Sequence, residues 1–427
     1  MRVLITGATG FIGRAVAHAL RARGHAVVAV SRHARGEGTL QADFAQVPQS
    51  GWWLPHLRSV DVVVNAVGIL REQGGQTFQA LHADAPAQLF HACKEAGVPL
   101  VVQISALGAD AQAQSRYHLS KKAADDVLRS LPVHSVIVQP SVVYAPGGTS
   151  AALFNRMAAA PLLPLPQGGR MQVQPVHLDD VVQALVALVE AGPAAPGGTL
   201  VFSGPKPLSL RDYLAALRKA LGFSGALRVM PMPEALFRLG ARVAGWLPGS
   251  MLDAETAGML LRGNAATEPA FAQLLGRAPR DVPAFIADDQ VQPLRRQAAL
   301  DLWLPVLRLS LALVWLWTAV VSLGLYPVQD SYALLAATGL RGAAATVALY
   351  GAAALDLLLG LLILLLPAGR RGWLWAAQLL LIGGYTLLIT IFLPEYWLHP
   401  YGPLSKNLPM MAAIALLWSL EPTRRER

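Results

Sequence analysis

Val3-Leu4-Ile5-Thr6-Gly7-Ala8-Thr9-Gly10-Phe11-Ile12-Gly13 is a short apolar strand that breaks into three spaced glycines and then into a helical pattern. In a strand-to-helix turn of this kind the first glycine permits the tight bend. The second lets a pyrophosphate approach the backbone, the third lets helix and strand pack closely, and the phosphates gain from the helix amino terminus. The helix is expected over Ile12–Arg23, closed by Gly24 as its carboxy-terminal cap. Gly7, Thr9, Gly10, Phe11, Ile12 and Gly13 are therefore the first candidate binding residues, and the ligand they predict is a dinucleotide.

Apolar strands recur at His25–Val30, Asp61–Asn65, Leu100–Ser105 and Ser135–Gln139, separated by stretches long enough for crossover helices. This alternation predicts an α/β fold with a doubly wound, parallel Rossmann-type sheet, expected over residues 1–150. Beyond Ser150 the rhythm loosens into Pro- and Gly-rich segments such as Pro161–Pro166 and Pro193–Gly198. A small substrate lobe is expected there, over residues 151–290, with strands and helices returning to the core.

The end of the second strand should face the adenosine ribose, where a carboxylate favours NAD(H). This chain has Ser31-Arg32-His33 there, with Arg35 just beyond. A guanidinium suits a 2'-phosphate through paired, charge-assisted hydrogen bonds, so NADP(H) is expected rather than NAD(H). Asp43 and Phe44 in the next loop are candidates for flanking the adenine. Ala66, Val67 and Gly68 follow Asn65 at a strand end, where small residues leave room for the cofactor.

Ser105 ends a strand, and Tyr117 and Lys121, four apart, project from one face of the next helix. A phenol is a poor proton carrier at neutral pH, and a neighbouring ammonium is expected to lower its pKa. Tyr117 can then move a proton as hydride moves to or from a nicotinamide, with Lys121 tuning it and Ser105 holding the same oxygen. Pro140, Ser141 and Val142, in the run Gln139–Tyr144, should wall the nicotinamide side. Val176–Val182 reads as a strand end with an aspartate capping a helix. His177 there is either structural or in reach of substrate.

Apolar residues make up 54% of the 427 and charged ones only 14%, and the apolar excess lies beyond residue 300. The net charge of +9 is scattered, with no basic stripe interleaved with aromatics, which argues against nucleic acid. Cys93, the lone cysteine, excludes an intramolecular disulfide and a cysteine-based metal site, and no metal is expected. The amino terminus lacks a secretory pattern, so residues 1–300 are expected in the cytoplasm. Residues 287–298 read as a polar link.

Four apolar stretches follow, Leu302–Leu325, Ala343–Leu366, Trp373–Leu393 and the shorter Leu404–Leu420, and predict a four-helix transmembrane bundle. Arg295, Arg296, Arg308, Arg370, Arg371, Arg424, Arg425 and Arg427 would lie on the cytoplasmic side, against Arg341 and Lys406 opposite. That bias predicts a multi-pass protein of the inner, cytoplasmic membrane. Asp356, amid Ala352–Leu366, either has a functional role or hydrogen-bonds to Gln378 or Tyr385.

The glycine turn, Ser105 with Tyr117 and Lys121, Gln139–Tyr144 and Pro175–Val182 together resemble the atypical and extended short-chain dehydrogenase/reductases. Ser105-Ala106-Leu107-Gly108-Ala109 and Leu274-Leu275-Gly276-Arg277-Ala278-Pro279 look like the branch containing the 39 kDa NADPH-binding subunit of respiratory complex I. This resemblance covers about residues 1–290 and implies NADP(H) at Gly7, Gly10, Gly13, Arg32, Tyr117 and Lys121. Residues 300–421 resemble the DoxX-like membrane family through Trp315-Leu316-Trp317, Asp356 with Gly360, Tyr385-Thr386 and Pro400–Pro409. Such fusions are expected in bacteria. The expected function is a membrane-anchored NADP(H)-dependent oxidoreductase acting on a lipophilic carbonyl, alcohol or quinone-like substrate. The alternative is a non-catalytic NADPH-binding module that assembles or senses within a membrane complex.

Overall fold

The computed structural model describes residues 1–33, 36–246, 252–266, 270–400 and 402–421. Arg35, Tyr401, Arg424, Arg425 and Arg427 lie outside the described residues. The chain divides into two compact units, Met1–Ala299 and Leu300–Arg427.

The first unit opens with β1 (Arg2–Thr6), α1 (Phe11–Ala22), β2 (Ala26–Ser31), β3 (Thr39–Gln41), α2 (Ser50–Leu57) and β4 (Val62–Asn65). It continues through α3 (Ala85–Ala96), β5 (Leu100–Ile104), α4 (Arg116–Ser130) and β6 (Ser135–Pro140). With the strand Gly198–Phe202 they form one seven-stranded sheet, in the order Gly198–Phe202, β6, β5, β4, β1, β2, β3. Every pairing in it is parallel. The order reverses between β1 and β4, so a crevice opens at their carboxyl ends, where such sheets take ligands.

Both faces of this sheet are covered, and the residue alternation shows how. Val3, Ile5, Val62, Val64, Val102 and Ile104 pack under α1 and the helix Leu178–Ala191. Leu4, Val63, Val101 and Ile137 face the other way, onto Trp53, Leu89, Phe90, Cys93 and Leu128 of the helices α2, α3 and α4. Each buried Val, Leu or Ile side chain contributes about 1.5–3 kcal/mol, so these runs hold the sheet's register against slippage. Cys93 is one of the small core residues. A third core, built on Tyr144, Phe154, Tyr213, Leu217 and Phe285, holds the segments after residue 142.

Residues 287–298, read as a polar link, are helical from Asp288 onward and form the first turns of a continuous helix, Asp288–Val320. Asp288 and Asp289 favour its amino terminus, and Val291 and Leu294 pack on the third core.

Among the described residues three helical segments are long and apolar enough to cross a membrane: Asp288–Leu325, which begins in the first unit, and Ala343–Leu365 and Gly372–Phe392 in the second. The fourth expected helix is present but short, Asn407–Ser419. A further helix, Val328–Ala337, joins the first two long ones. Leu311, Trp315, Ile363, Trp375 and Ile382 pack inside the bundle, whereas Val347, Leu365 and Leu380 are each more than 70% exposed. An outer surface so apolar fits lipid and not water. Gly360 permits the tightest crossing: a Cβ there would lie 2.7 Å from Leu316 Cγ. Asp356 is buried, but neither expected partner takes its Oδ1, which has no hydrogen-bond partner among the described residues. Gln378 instead accepts from Trp315 Nε1 at 2.8 Å and donates to the Leu374 carbonyl.

Candidate active site

The glycine turn sits at the sheet's reversal point. Gly7 has φ +66°, and a Cβ on it would lie 2.7 Å from the Ala66 carbonyl oxygen. A Cβ on Gly13 would lie 2.3 Å from the Gly7 oxygen, so only glycine lets α1 press this closely on the turn. Gly10 caps α1 without a side-chain hydrogen bond, and its own N–H donates to Gly7 at 2.9 Å. The first amides of α1 are left facing the crevice, an anion site with no acidic side chain in the first turn. Thr9 and Gly10 are exposed there, and Phe11 and Ile12 half-buried.

A buried polar ladder ties the neighbouring strand ends together. Thr6 Oγ1 donates to Asn65 Oδ1 at 2.5 Å, and Asn65 Nδ2 donates to Gln103 Oε1 at 2.7 Å. The chain then leaves β4 through Ala66, Val67 and Gly68, and α4 reaches back to hold it. Lys121 Nζ donates to the carbonyls of Val67 at 2.9 Å and Ile104 at 3.2 Å. A Cβ on Gly68 would lie 3.2 Å from that ammonium, so glycine there leaves room beside it. Burial pulls the Lys121 pKa down to about 8, opposed by Asp125.

Tyr117, one turn earlier on α4, packs edge-on against Phe78, His82 and His118, with ring centroids 5.2–6.0 Å apart. Its hydroxyl makes no hydrogen bond within the described residues. Here one expectation is overturned: burial pushes the phenol up to about 12. The Lys121 ammonium is bound to carbonyls, and the aromatic walls desolvate the ring, so desolvation prevails over any charge effect.

Two partners of this cluster were not foreseen. His82 lies on a π-helical segment, Gln79–Asp84, and accepts from the Ile69 N–H at 2.9 Å. Burial, with Lys121 second, drives its pKa down to about 2, so the ring is neutral. With Nε2 accepting, Nδ1 carries the proton and donates to Ser120 Oγ at 3.0 Å, which donates to the Tyr117 carbonyl. Asp125 is fully buried and accepts from Ser105 Oγ at 2.5 Å. Burial raises its pKa to about 6, against Ser105, Lys121, Arg129 and Gln139. Its place four residues after Lys121, on the same helix face, was the one available signal.

A glycine-cradled anion site at a parallel sheet's reversal point, beside a buried lysine, is a nucleotide-binding geometry, and the match to known families follows it. The family model for the NAD dependent epimerase/dehydratase family matches residues 3–201, and that for the DoxX-like family matches residues 312–415. The chain joins an epimerase/dehydratase-family domain to a DoxX-like domain. Ceramide reductase of Caulobacter vibrioides is 28% identical over 192 residues, 43% of this chain and 60% of that protein. The mitochondrial NADH dehydrogenase (ubiquinone) 1 alpha subcomplex subunit 9 of Mus musculus is 29% identical over 221 residues, 47% of this chain and 56% of the subunit. The chain thus spans under two thirds of the length of these relatives. A solved nucleoside-diphosphate-sugar epimerase from Staphylococcus aureus superposes with a TM-score of 0.54 at 17% identity, covering 67% of this chain and 99% of that one.

Within the epimerase/dehydratase-family domain the remaining candidates fall in three groups. Ser31 ends β2, and Arg32, just beyond, is exposed with no partner among the described residues. Asp43 Oδ1 accepts from the Ala45 N–H, and the Phe44 ring is buried against Trp53 in the core. Pro140 ends β6, the Ser141 hydroxyl donates to the Gln174 carbonyl, and the Val142 N–H donates to Asn264 Oδ1 at 2.9 Å.

His177 itself caps the helix Leu178–Ala191, where an aspartate was expected. Its Nδ1 accepts from the Asp179 N–H at 3.2 Å. The buried Asp180 binds Arg277 at 2.6 Å and Arg280 at 2.9 Å, which gives the Leu274–Pro279 run its structural purpose. Arg262 grips the Ser105–Ala109 loop from the other side, donating to the Gly108 carbonyl and to both oxygens of Asp110.

Proposed function

We propose that this chain is a membrane-anchored, NADP(H)-dependent oxidoreductase of the short-chain dehydrogenase/reductase type that reduces a lipophilic carbonyl or oxidises the matching alcohol. The observation that carries the proposal is the buried Lys121 ammonium on the Val67 and Ile104 carbonyls, one helical turn from Tyr117 and beside the Gly7–Gly13 cradle. The turn suits a dinucleotide, because Gly7 and Gly13, where a Cβ would strike the Ala66 and Gly7 backbone, let the uncapped first amides of α1 pack close against the end of β4. Gly7, Gly10, Gly13, Ala66, Val67 and Gly68 would hold the pyrophosphate and its sugars. Arg32, exposed and without a partner among the described residues, would take a 2'-phosphate. When bound, the nicotinamide supplies or accepts the hydride.

The rest of the chemistry falls to the protein. A phenol pushed up to about 12 stays protonated at neutral pH, so Tyr117 suits donation of a proton to an oxygen gaining negative charge. Lys121, mostly charged at pH 7, stabilises that charge. Ser105 donates its hydrogen bond to Asp125, which leaves its lone pairs for the Tyr117 hydroxyl or for the alcohol form of the substrate. Residues 151–290 would form the substrate lobe. The relative named ceramide reductase supports a lipid-derived substrate. The arginine bias supports a cytoplasmic nucleotide site.

A second reading, a non-catalytic NADPH holder in a membrane complex, is favoured by the Ser105 hydroxyl being taken by Asp125 and by the relative named as an NADH dehydrogenase subunit. The two readings separate in one experiment. Detergent-purified protein is analysed for retained nucleotide and screened for NADPH oxidation with lipophilic carbonyls and quinones. Tyr117→Phe should keep the nucleotide and lose about 10²–10⁴-fold in turnover. Undiminished turnover in that variant overturns the role of Tyr117, and retained NADPH with no oxidation by any substrate favours the holder.

A further inference from the structure

The helix Glu234–Gly245 turns Phe237 and Ala241 inward, onto Ala257 and Met232. Its other face is bare. Leu236, Leu239, Val243 and the capping Trp246 are 55%, 57%, 49% and 84% exposed, and their spacing of three, four and three places them in one stripe along the helix. Leu162 and Met230, on the ribbon formed by Leu162–Pro166 and Arg228–Met232, are also exposed. The charges around the stripe are mainly basic: Arg228 and Arg242 are exposed, while Arg238 pairs with Glu234.

We propose that this face is a docking surface for an anionic phospholipid bilayer. A leucine stripe flanked by arginines and ending in tryptophan has the chemistry of a helix lying in the headgroup region. Contiguous exposed apolar surface of this kind marks an interaction site. The charge is complementary to acidic headgroups. The same chain carries three segments long and apolar enough to cross a membrane, so a bilayer is tethered to it.

The test uses the full chain in lipid nanodiscs. Cys93 is the sole cysteine and is buried, so Leu239→Cys and, separately, Lys94→Cys at an exposed position of α3 each give one accessible labelling site. A nitroxide at 239 in discs containing phosphatidylglycerol should collide with oxygen several-fold more, relative to a water-soluble nickel chelate, than one at 94. That ratio should fall towards the control in discs of phosphatidylcholine alone and in Arg228→Glu/Arg242→Glu. Val243→Cys repeats the reading one turn on. Nickel access at 239 equal to that at 94 overturns the proposal. Shielding from both reagents also overturns it, since the face is then covered by protein, and spin–spin broadening would identify a second copy.

Discussion

Asp125→Asn tests the buried cluster most directly. The carboxylate is fully buried, accepts from Ser105 at 2.5 Å, and has its pKa raised from 3.8 to about 6. A carboxyl whose folded pKa is raised is held better when neutral. Its contribution to stability is complete below pH 3.8 and is lost as pH rises through about 6. At neutral pH the ionised side chain therefore weakens the fold by about 3 kcal/mol relative to acid, at about 1.36 kcal/mol per pH unit of displacement. Asparagine has the same shape and keeps an oxygen for Ser105, but carries no charge. The variant should match the wild type near pH 4 and melt about 5–10 °C higher at pH 8, followed by circular dichroism of the detergent-solubilised chain. Because Asp125 also supports the charge of Lys121, the variant's lysine should deprotonate below pH 8 and weaken nucleotide binding at neutral pH. Equal loss of stability at every pH, or a wild-type melting curve flat between pH 4 and 7, would refute the reasoning.

Arg32→Glu should weaken NADPH binding by about 10–100-fold, the loss of charge-assisted hydrogen bonds worth about 1.5–3 kcal/mol, and leave NADH binding unchanged, as read by fluorescence titration. An equal loss for both nucleotides removes Arg32 from the 2'-phosphate. Gly13→Ala places a Cβ 2.3 Å from the Gly7 oxygen. It should destabilise the chain by about 1–3 kcal/mol and lower nucleotide affinity at least about tenfold, measured by melting with and without NADPH. Gly360→Ile, whose Cβ would lie 2.7 Å from Leu316 Cγ, should lower the melting temperature in detergent while NADPH affinity stays at the wild-type value.

The legible parts of this chain were those set by local geometry. The Gly7–Gly13 turn could be read because backbone approaches this close exclude a side chain, and the strands because their apolar runs are buried on both faces. Tyr117 and Lys121 could be paired because a helix brings positions four apart together. Contacts across long separations could not be read: Asp125 meets Ser105 twenty residues away, and Arg262 meets Asp110 across 152. The direction of the Tyr117 shift depends on Phe78, His82 and His118, which surround the ring only once a π-helical segment brings His82 beneath it. The neighbour of the Phe44 ring, Trp53, lies on another element and could not be read for the same reason.

The choice between turnover and holding comes down to the direction of one hydrogen bond. While Asp125 is ionised it can only accept, so the Ser105 proton must point at it, and the oxygen facing the crevice offers lone pairs alone. An alcohol, or the Tyr117 hydroxyl, can donate to those lone pairs, but a carbonyl oxygen cannot. A carbonyl held in this crevice would then depend on Tyr117 as its donor, with Ser105 accepting from the phenol or from the alcohol once formed. Below about pH 6 Asp125 takes up a proton and becomes a donor in its own right, which frees the Ser105 hydrogen to turn towards the crevice. The buried carboxylate thus couples the proton state of α4 to what Ser105 can bind, a property a reductase can use and a cofactor holder has no need of.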